Sequence, residues 1–113
     1  MPNNPRDIEI TFGALADPTR RAVVQALAAG PATVSDLAHP FDMALPSFTQ
    51  HLGVLERAGL IASRREGRSR VCTLNVEALR TAEDWLADHR RQWEARLDRF
   101  EAHLATLKKD DPR

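Results

Sequence analysis

The apolar residues in the first part of the chain recur at helical spacing. Residues 8–15 are mostly apolar and predict a short first helix. Asp17 followed by Pro18 combines an N-cap residue with a proline at the first helical position, which is typical of a helix start. The apolar face of this second helix consists of Val23, Val24 and Leu27. Thr33 then predicts the cap of a short third helix over residues 34–39.

A fourth helix is predicted over the sequence ALPSFTQHLGVLER. Its apolar stripe consists of Phe48, Leu52 and Leu55, at positions i, i+4 and i+7. The face opposite this stripe and its flanks carry Pro46, Ser47, Thr49, Gln50, Gly53 and Arg57. Gly59 is the natural end of the helix. A short helix, a tight turn and a second helix with a small, polar outer face are typical of a helix-turn-helix.

Two β-favouring runs flank Gly67 and predict a hairpin. Its tip is basic because residues 61–72 contain four arginines against a single glutamate. The arginines are Arg64, Arg65, Arg68 and Arg70. A helix-turn-helix followed directly by a basic hairpin has the parts of a winged helix. In that arrangement one helix enters the major groove of DNA, and the hairpin contacts neighbouring phosphates or the minor groove.

The last part of the chain contains neither glycine nor proline from Val76 to Lys108 and predicts one long helix. Apolar residues and one histidine recur along it at spacings of three and four. A domain of this size cannot cover a helix of this length by itself, so we expect a second copy to cover much of the stripe. The predicted dimer interface consists of Leu86, His89, Trp93, Leu97, Phe100 and Leu104.

Composition changes this interpretation in three respects. The 16 basic and 16 acidic residues cancel, so the positive charge that DNA attracts is local to the hairpin. The single cysteine, Cys72, excludes a disulfide within the chain and fits a reducing compartment. The first residues lack the basic start and apolar stretch of a signal peptide, and no apolar run reaches the length of a membrane span. We therefore expect a cytoplasmic protein.

Three stretches of the sequence resemble the ArsR-type (arsenical-resistance repressor) family of bacterial winged-helix regulators. They are ADPTRR at the second helix, QHLGVLERAGLI in the fourth helix, and REGRSRVCTLN in the hairpin. The resemblance covers roughly residues 8–76. It implies a transcriptional repressor, and it implies that the N-terminal helix joins the long C-terminal helix in the dimer interface.

The predicted fold class is mainly α with a small β-hairpin, a winged helix-turn-helix with the element order α-α-α-α-β-β-α. We interpret residues 1–113 as a single domain. Within it, residues 8–76 form the DNA-binding core and residues 77–108 the dimerisation helix.

The resemblance does not extend to the metal sites of the family. Where metal-sensing members have Cys-Val-Cys-Asp-Leu, residues 33–37 read TVSDL, so both thiolates are absent. A second family site needs an Asp-x-His pair with a His-x-x-His or His-x-x-Glu pair. Asp88 and His89 are instead adjacent, and Thr106 stands three residues after His103. We predict no metal site and no cofactor, and the sequence identifies no effector.

The candidate DNA contacts are Pro46, Ser47, Thr49, Gln50, His51, Arg64, Arg65, Arg68 and Arg70. Each group has a structural alternative. The polar helix face and the hairpin tip could be solvated surfaces, and His51, close to the apolar stripe, could be hydrogen-bonded within the fold. Arg20 and Arg21 fit ion pairs as well as phosphate contacts. For Cys72, inert packing is favoured over redox sensing.

Two positions of the fourth helix depart from the family pattern. Ala44 stands where relatives often have a serine or threonine cap, and Gln50 stands where they often have a basic residue. Loss of a cap costs about 1 kcal/mol. Loss of a cation weakens phosphate attraction but leaves an amide that can pair with adenine. We therefore expect moderate affinity for DNA.

Two functions of different class are compatible with the sequence. The favoured function is a sequence-specific regulator that binds a palindromic operator as a homodimer, and repression follows from the family resemblance. The alternative is a protein-interaction module that uses the long helix, with a structural winged-helix core, and the neutral total charge supports it. Catalysis is not expected, because the chain has no glycine-rich phosphate loop and no convincing nucleophile–base pair.

Overall fold

The computed structural model describes residues 5–109, and this range contains five helices and three strands. They are α1 (Pro5–Leu15), α2 (Pro18–Leu27), β1 (Ala32–Thr33), α3 (Val34–Ala38), α4 (Leu45–Arg57), β2 (Ile61–Glu66), β3 (Ser69–Leu74) and α5 (Val76–Lys109). The order confirms the predicted winged helix-turn-helix and adds β1 to it. The predicted domain, residues 1–113, extends beyond the described range at both ends.

Side-chain caps fix the starts of two of the helices. Asp17 precedes α2 in an extended conformation, and its Oδ2 accepts a hydrogen bond of 3.1 Å from the backbone N–H of Arg20. Thr33 does the same for α3, since its Oγ1 accepts from the N–H of Asp36 at 3.1 Å. The N-cap of α4 is Ala44, which provides no side-chain hydrogen bond. Both predicted caps and the uncapped position are therefore confirmed.

The sheet has the strand order β1-β3-β2, and both pairings are antiparallel. The predicted hairpin is formed by β2 and β3, whose register runs from Ile61 opposite Leu74 to Glu66 opposite Ser69. The third strand, β1, pairs Ala32 with Cys72. Two residues are too few for an alternating pattern to be visible in sequence, and only the pairing with β3 defines this strand.

The core joins the helices of the first 82 residues to the inner face of the sheet. Its largest fully buried side chains are Phe48, Leu55, Leu60, Val23 and Cys72. The three apolar residues of the α4 stripe and the three of α2 are all buried, as the periodicity predicted. Burial of one such aliphatic or aromatic side chain contributes about 1.5–3 kcal/mol. The core therefore holds α4 with its opposite face outward.

Contacts divide the chain between Ala82 and Glu83 into two units. The first unit contains every element from α1 to β3 and the first turns of α5. The second unit is the remainder of α5. Along the whole described range, no helix combines the length and the apolar character that crossing a membrane requires.

Candidate nucleic-acid interface

The outward face of α4 presents a small, polar surface. Pro46, Ser47, Thr49 and Gln50 are all exposed, as the sequence predicted for candidate contacts. Thr49 Oγ1 donates a hydrogen bond of 3.0 Å to the carbonyl oxygen of Pro46. In this arrangement the hydroxyl proton of Thr49 is engaged, and its oxygen remains available as an acceptor. The face thus offers an amide, two hydroxyl groups and little bulk.

His51 lies at the edge of this face and is turned toward the start of α2. Its Nδ1 is 3.2 Å from Nη1 of Arg20 and 3.7 Å from Oδ2 of Asp17. Its side chain is 24 % exposed. The Nδ1 side of the His51 ring is therefore engaged within the fold, as one of the two interpretations of this residue predicted, because the neighbours of Nδ1 belong to the protein itself.

Arg20 and Arg21 contact the carbonyl end of α1. Arg20 Nε donates to the carbonyl oxygen of Ala14 at 2.6 Å, and its Nη2 donates to that of Gly13 at 3.3 Å. Arg21 Nη1 donates to the carbonyl oxygen of Leu15 at 3.0 Å. The last carbonyls of a helix lack partners within it and carry partial negative charge, so both guanidinium groups are favourably placed. The two arginines therefore have structural partners.

The same contacts give Asp17 a specific environment. The pKa of its carboxyl group is lowered, mainly by the hydrogen bond from the backbone N–H of Arg20. Desolvation opposes this shift, and His51 adds a smaller lowering effect. Asp17 therefore combines a cap for α2 with a negative charge 3.7 Å from the His51 ring. Its place beside α4 depends on how the two helices pack.

The wing is the β2–β3 hairpin, and a two-residue turn closes it. Gly67 has a φ of 61°, and among residues 5–109 only glycines have positive φ, so Arg68 has negative φ. A glycine of positive φ followed by a residue of negative φ is the pattern of a type II′ turn, which suits the twist of a hairpin. Arg68 is therefore carried on the tip of the wing, and it is exposed.

Two wing arginines face each other across the strands. Arg65 is directly opposite Arg70 in the register, and both are exposed. Like charges at directly opposite positions destabilise a β-ladder, and neighbouring anions relieve the repulsion. Arg64 differs from this pair because its Nη2 lies 3.4 Å from Oε2 of Glu66. The wing thus carries three arginines without a carboxylate partner among the ion pairs of the described chain, namely Arg65, Arg68 and Arg70.

A hydrogen-bond chain joins the wing to α4. Arg70 Nε donates to Ser63 Oγ at 3.0 Å, and the Ser63 hydroxyl donates to Oε1 of Glu56. These hydrogen bonds fix the position of the Arg70 side chain relative to the last turns of α4. Neither Glu56 nor Ser63 was predicted as part of the site, because a hydroxyl and a carboxylate seven residues apart in different elements have no recognisable spacing.

Cys72 lies beneath this network. It is fully buried in the core, and burial raises the pKa of its thiol, with a further contribution from Glu56. A thiol with a raised pKa is largely protonated at neutral pH and is a poor nucleophile. The structure therefore favours the inert packing that we expected over redox sensing.

The second unit, residues 83–109 of α5, carries the predicted dimer stripe. Its large apolar side chains are exposed in the single chain: Leu86, Trp93, Leu97, Phe100, Leu104 and Leu107. His89 is half-buried, stacked on Trp85 with 3.8 Å between ring centroids and edge-on to Trp93 at 6.2 Å. Its Nδ1 is 3.0 Å from the carbonyl oxygen of Trp85. Six exposed large side chains on one helix form an apolar surface of the kind that marks interaction sites.

Possible metal ligands do not converge anywhere in residues 5–109. No group of three or more His, Cys, Asp or Glu side chains in this range is arranged so that it could hold a metal ion. The prediction of no metal site continues to rest on the missing thiolates and the altered histidine spacing.

Comparison with known proteins finds similar sequences among transcriptional regulators. A family model described as "Helix-turn-helix domain" matches residues 15–64. The chain is 35 % identical over 75 residues to the transcriptional repressor SdpR of Bacillus subtilis, covering 66 % of this chain and 83 % of that protein. It is 46 % identical over 79 residues to the HTH-type transcriptional regulator Rv2034 of Mycobacterium tuberculosis, covering 67 % and 74 % respectively.

A solved structure extends the similarity over most of the chain. The crystal structure of an ArsR family transcriptional regulator, RHA00566, superposes with a TM-score of 0.77 at 50 % sequence identity. The match covers 83 % of this chain and 97 % of that chain. The motifs of α2, α4 and the wing, the element order and this likeness agree, and the chain belongs to the ArsR family of winged helix-turn-helix transcriptional regulators.

Proposed function

We propose that this chain binds double-stranded DNA as a homodimer and represses transcription by occupying a palindromic operator. The observation that carries the proposal is the exposed polar face of α4 beside a wing in which Arg65 lies directly opposite Arg70. Two cations held together in this way favour an anionic partner. The backbone of DNA is a regular array of such partners, and the width of its major groove admits a helix.

In this proposal α4 reads bases. Gln50 is exposed near the middle of the outward face, and its amide can pair bidentately with adenine in the major groove. Thr49 has its hydroxyl proton engaged by Pro46, so it accepts a hydrogen bond more readily than it donates one. Pro46 and Ser47 lie at the N-terminal end of the helix, and their small side chains add further contacts with DNA. Sequence preference therefore depends most on Gln50.

The wing arginines supply the phosphate contacts. Arg65, Arg68 and Arg70 are exposed, and Ser63 orients Arg70 through a hydrogen bond. Arg64 contributes less to phosphate binding because the carboxylate of Glu66 partly neutralises its charge. Each neutralised phosphate steepens the dependence of log affinity on log salt by about 0.9. Gln50, which stands where relatives often have a cation, adds no such contact.

Dimerisation uses the apolar stripe of α5 and places two copies of α4 on one duplex. Leu86, Trp93, Leu97, Phe100 and Leu104, with His89 among them, form the surface that a second copy covers. A two-fold dimer presents two recognition helices, which fit half-sites about 34–36 Å apart on a palindromic operator. We place this regulator in the cytoplasm, in contact with the chromosome.

A fluorescence-anisotropy titration tests the proposal. Labelled duplex DNA from upstream of the gene is titrated with protein at two salt concentrations, and a scrambled duplex of the same length is the control. We expect preference for the native duplex, a stoichiometry of two chains per duplex, and steep loss of affinity with salt. Absent binding to both duplexes would contradict the proposal. It would favour the alternative, a protein-interaction module based on α5.

A further inference from the structure

Two groups contact Nδ1 of His51, and they favour opposite protonation states of this nitrogen atom. Arg20 Nη1, 3.2 Å from Nδ1, is always a donor, so a hydrogen bond between them requires Nδ1 to carry no proton. Asp17 Oδ2, 3.7 Å from Nδ1, is an acceptor and would favour a proton there. The shorter contact is the one with Arg20. In the neutral ring the proton then resides on Nε2.

The Nε2 atom of His51 is not fully buried in the protein. The contacts of His51 with Arg20 and with Asp17 both involve Nδ1. Among the described residues, no side-chain nitrogen or oxygen atom is buried without a partner, so Nε2 is not enclosed in the protein. Ser47, one helical turn earlier on the same side of α4, is also exposed. The Nε2–H donor thus lies at the edge of the proposed DNA-reading face.

We propose that Arg20 is a positioning residue for DNA binding, which holds His51 in the Nε2–H tautomer so that this N–H donates to a phosphate oxygen. The inference rests on the proposed function, because it assigns one contact within that interface. Arg20 is itself fixed by the carbonyl oxygens of Gly13 and Ala14 at the end of α1. Without Arg20, the ring donates Nδ1–H to Asp17 and turns a bare nitrogen toward DNA, which repels phosphate.

Two substitutions of His51 separate the functions of its two nitrogens. His51→Asn places an amide where Nδ1 lies, two bonds from Cβ, and keeps the contact with Arg20 but removes the outer donor. His51→Gln places its amide three bonds from Cβ, where Nε2 lies, and keeps the outer donor. At about pH 8, we expect His51→Asn to weaken binding about tenfold and His51→Gln to stay within about twofold of the parent.

The salt and sequence dependence of this loss identify the contact. A neutral donor releases no counterion, so His51→Asn should leave the salt slope unchanged, unlike loss of a wing arginine. A phosphate carries no sequence information, so the native and scrambled duplexes should lose affinity by the same factor. A changed slope, or a loss confined to the native duplex, would overturn the assignment of a neutral contact to phosphate.

The part played by Arg20 is tested with Arg21 as the matched control. Arg21 also contacts the end of α1 but does not touch His51, so Arg21→Gln removes the same charge and a similar helix contact. We expect Arg20→Gln to weaken DNA binding about fivefold more than Arg21→Gln does. When each is combined with His51→Gln, this difference should disappear, because the amide donor needs no tautomer. A difference that persists would show that Arg20 acts only through stability.

Imidazole ¹⁵N chemical shifts give a readout that is independent of DNA. In the parent protein at about pH 8, His51 should show the Nε2–H tautomer, and Arg20→Gln should convert it to Nδ1–H facing Asp17. A parent Nδ1–H tautomer would overturn the inference. If the parent binds DNA but His51→Asn binds equally well, the inference alone fails. If the parent binds neither duplex, the proposed function fails and the phosphate contact fails with it.

Discussion

At the scale of single residues, hydrogen bonds decide which of the many arginines are free for an anion. The guanidinium groups of Arg20 and Arg21 contact the end of α1, and Arg64 is paired with Glu66. Arg65 and Arg68 lie on the wing and form no such pair within residues 5–109. These assignments explain how a chain with equal numbers of acids and bases can still present a cationic wing.

The first prediction separates phosphate contacts from base reading. The double substitution Arg68→Ala with Arg70→Ala should weaken binding to the native and scrambled duplexes alike and reduce the salt slope by nearly two units. Gln50→Ala should leave the slope unchanged and reduce the preference for the native duplex, with a loss of about 1–3 kcal/mol for that duplex only. Anisotropy titrations over several salt concentrations measure both quantities. Equal effects of the two changes would contradict these roles.

A second residue-scale prediction concerns acid stability. The pKa of Asp17 lies below its ordinary value of 3.8 in the folded chain, because the N–H of Arg20 donates to the carboxylate. The charged form therefore stabilises the fold above that value, and this contribution is lost as pH falls through the folded-state pKa. Asp17→Asn keeps a cap acceptor but removes the charge. It should lower stability at neutral pH, and the stability difference from the parent should shrink as the pH falls below 3.8 and through the folded-state pKa of Asp17, as followed by urea unfolding.

The control for this acid dependence is Asp42→Asn. Asp42 is an exposed aspartate in the turn before α4. Its replacement should change the unfolding midpoint at neutral pH less than Asp17→Asn does. If the stability difference between Asp42→Asn and the parent changes with pH in the same way as that between Asp17→Asn and the parent, the specific environment of Asp17 is not the cause.

At the scale of elements, α4 begins without the help that α2 and α3 receive. Ala44 offers no side-chain acceptor, and Pro46 in the first turn has no N–H to be satisfied. The free N–H that a cap would accept therefore belongs to Ser47, the third residue of the helix. The helix forms despite this because its apolar stripe is fully buried, which outweighs the loss of one cap.

The missing cap yields a stabilising prediction. Ala44→Ser supplies a hydroxyl oxygen for the Ser47 N–H and should raise the free energy of unfolding by about 1 kcal/mol. Thr33→Ala is the matched opposite, since it removes the 3.1 Å cap of α3 and should lower stability by a similar amount. Thermal and urea unfolding measure both. A serine that stabilises no more than glycine at position 44 would argue against capping as the cause.

At the scale of the whole molecule, each chain has one part with a buried core and one part without. The core of the first unit encloses side chains such as Phe48 and Leu55, whereas residues 83–109 leave large apolar side chains in solvent. Hydrophobic burial is the main favourable term in association as well as in folding. The second unit therefore depends for its burial on a partner surface, and the proposed dimer provides one.

The prediction at this scale is that Trp93→Ala weakens the dimer more than the fold. Trp93 is 50 % exposed in the single chain, so a large part of its side chain is left for a partner to cover. In the dimer both copies are affected, and the dissociation constant should rise at least about tenfold. Sedimentation equilibrium measures it. Asp98→Ala is the control, because at 100° per residue this exposed position lies about 140° around α5 from Trp93. An unchanged dimer in Trp93→Ala would place the interface elsewhere.

Local sequence patterns were sufficient to predict the helices, the hairpin, the basic wing and the uncapped start of α4. These features depend on caps, turn residues and periodic burial, which act over a few neighbouring residues. The tertiary structure alone decided that β1 joins the sheet, that Arg65 opposes Arg70, and that His51 faces Arg20 and Asp17. Arg20 and His51 are 31 residues apart, and no local spacing relates them. Their contact exists because core burial fixes how α2 packs against α4, and that packing decides which nitrogen of His51 is left for DNA.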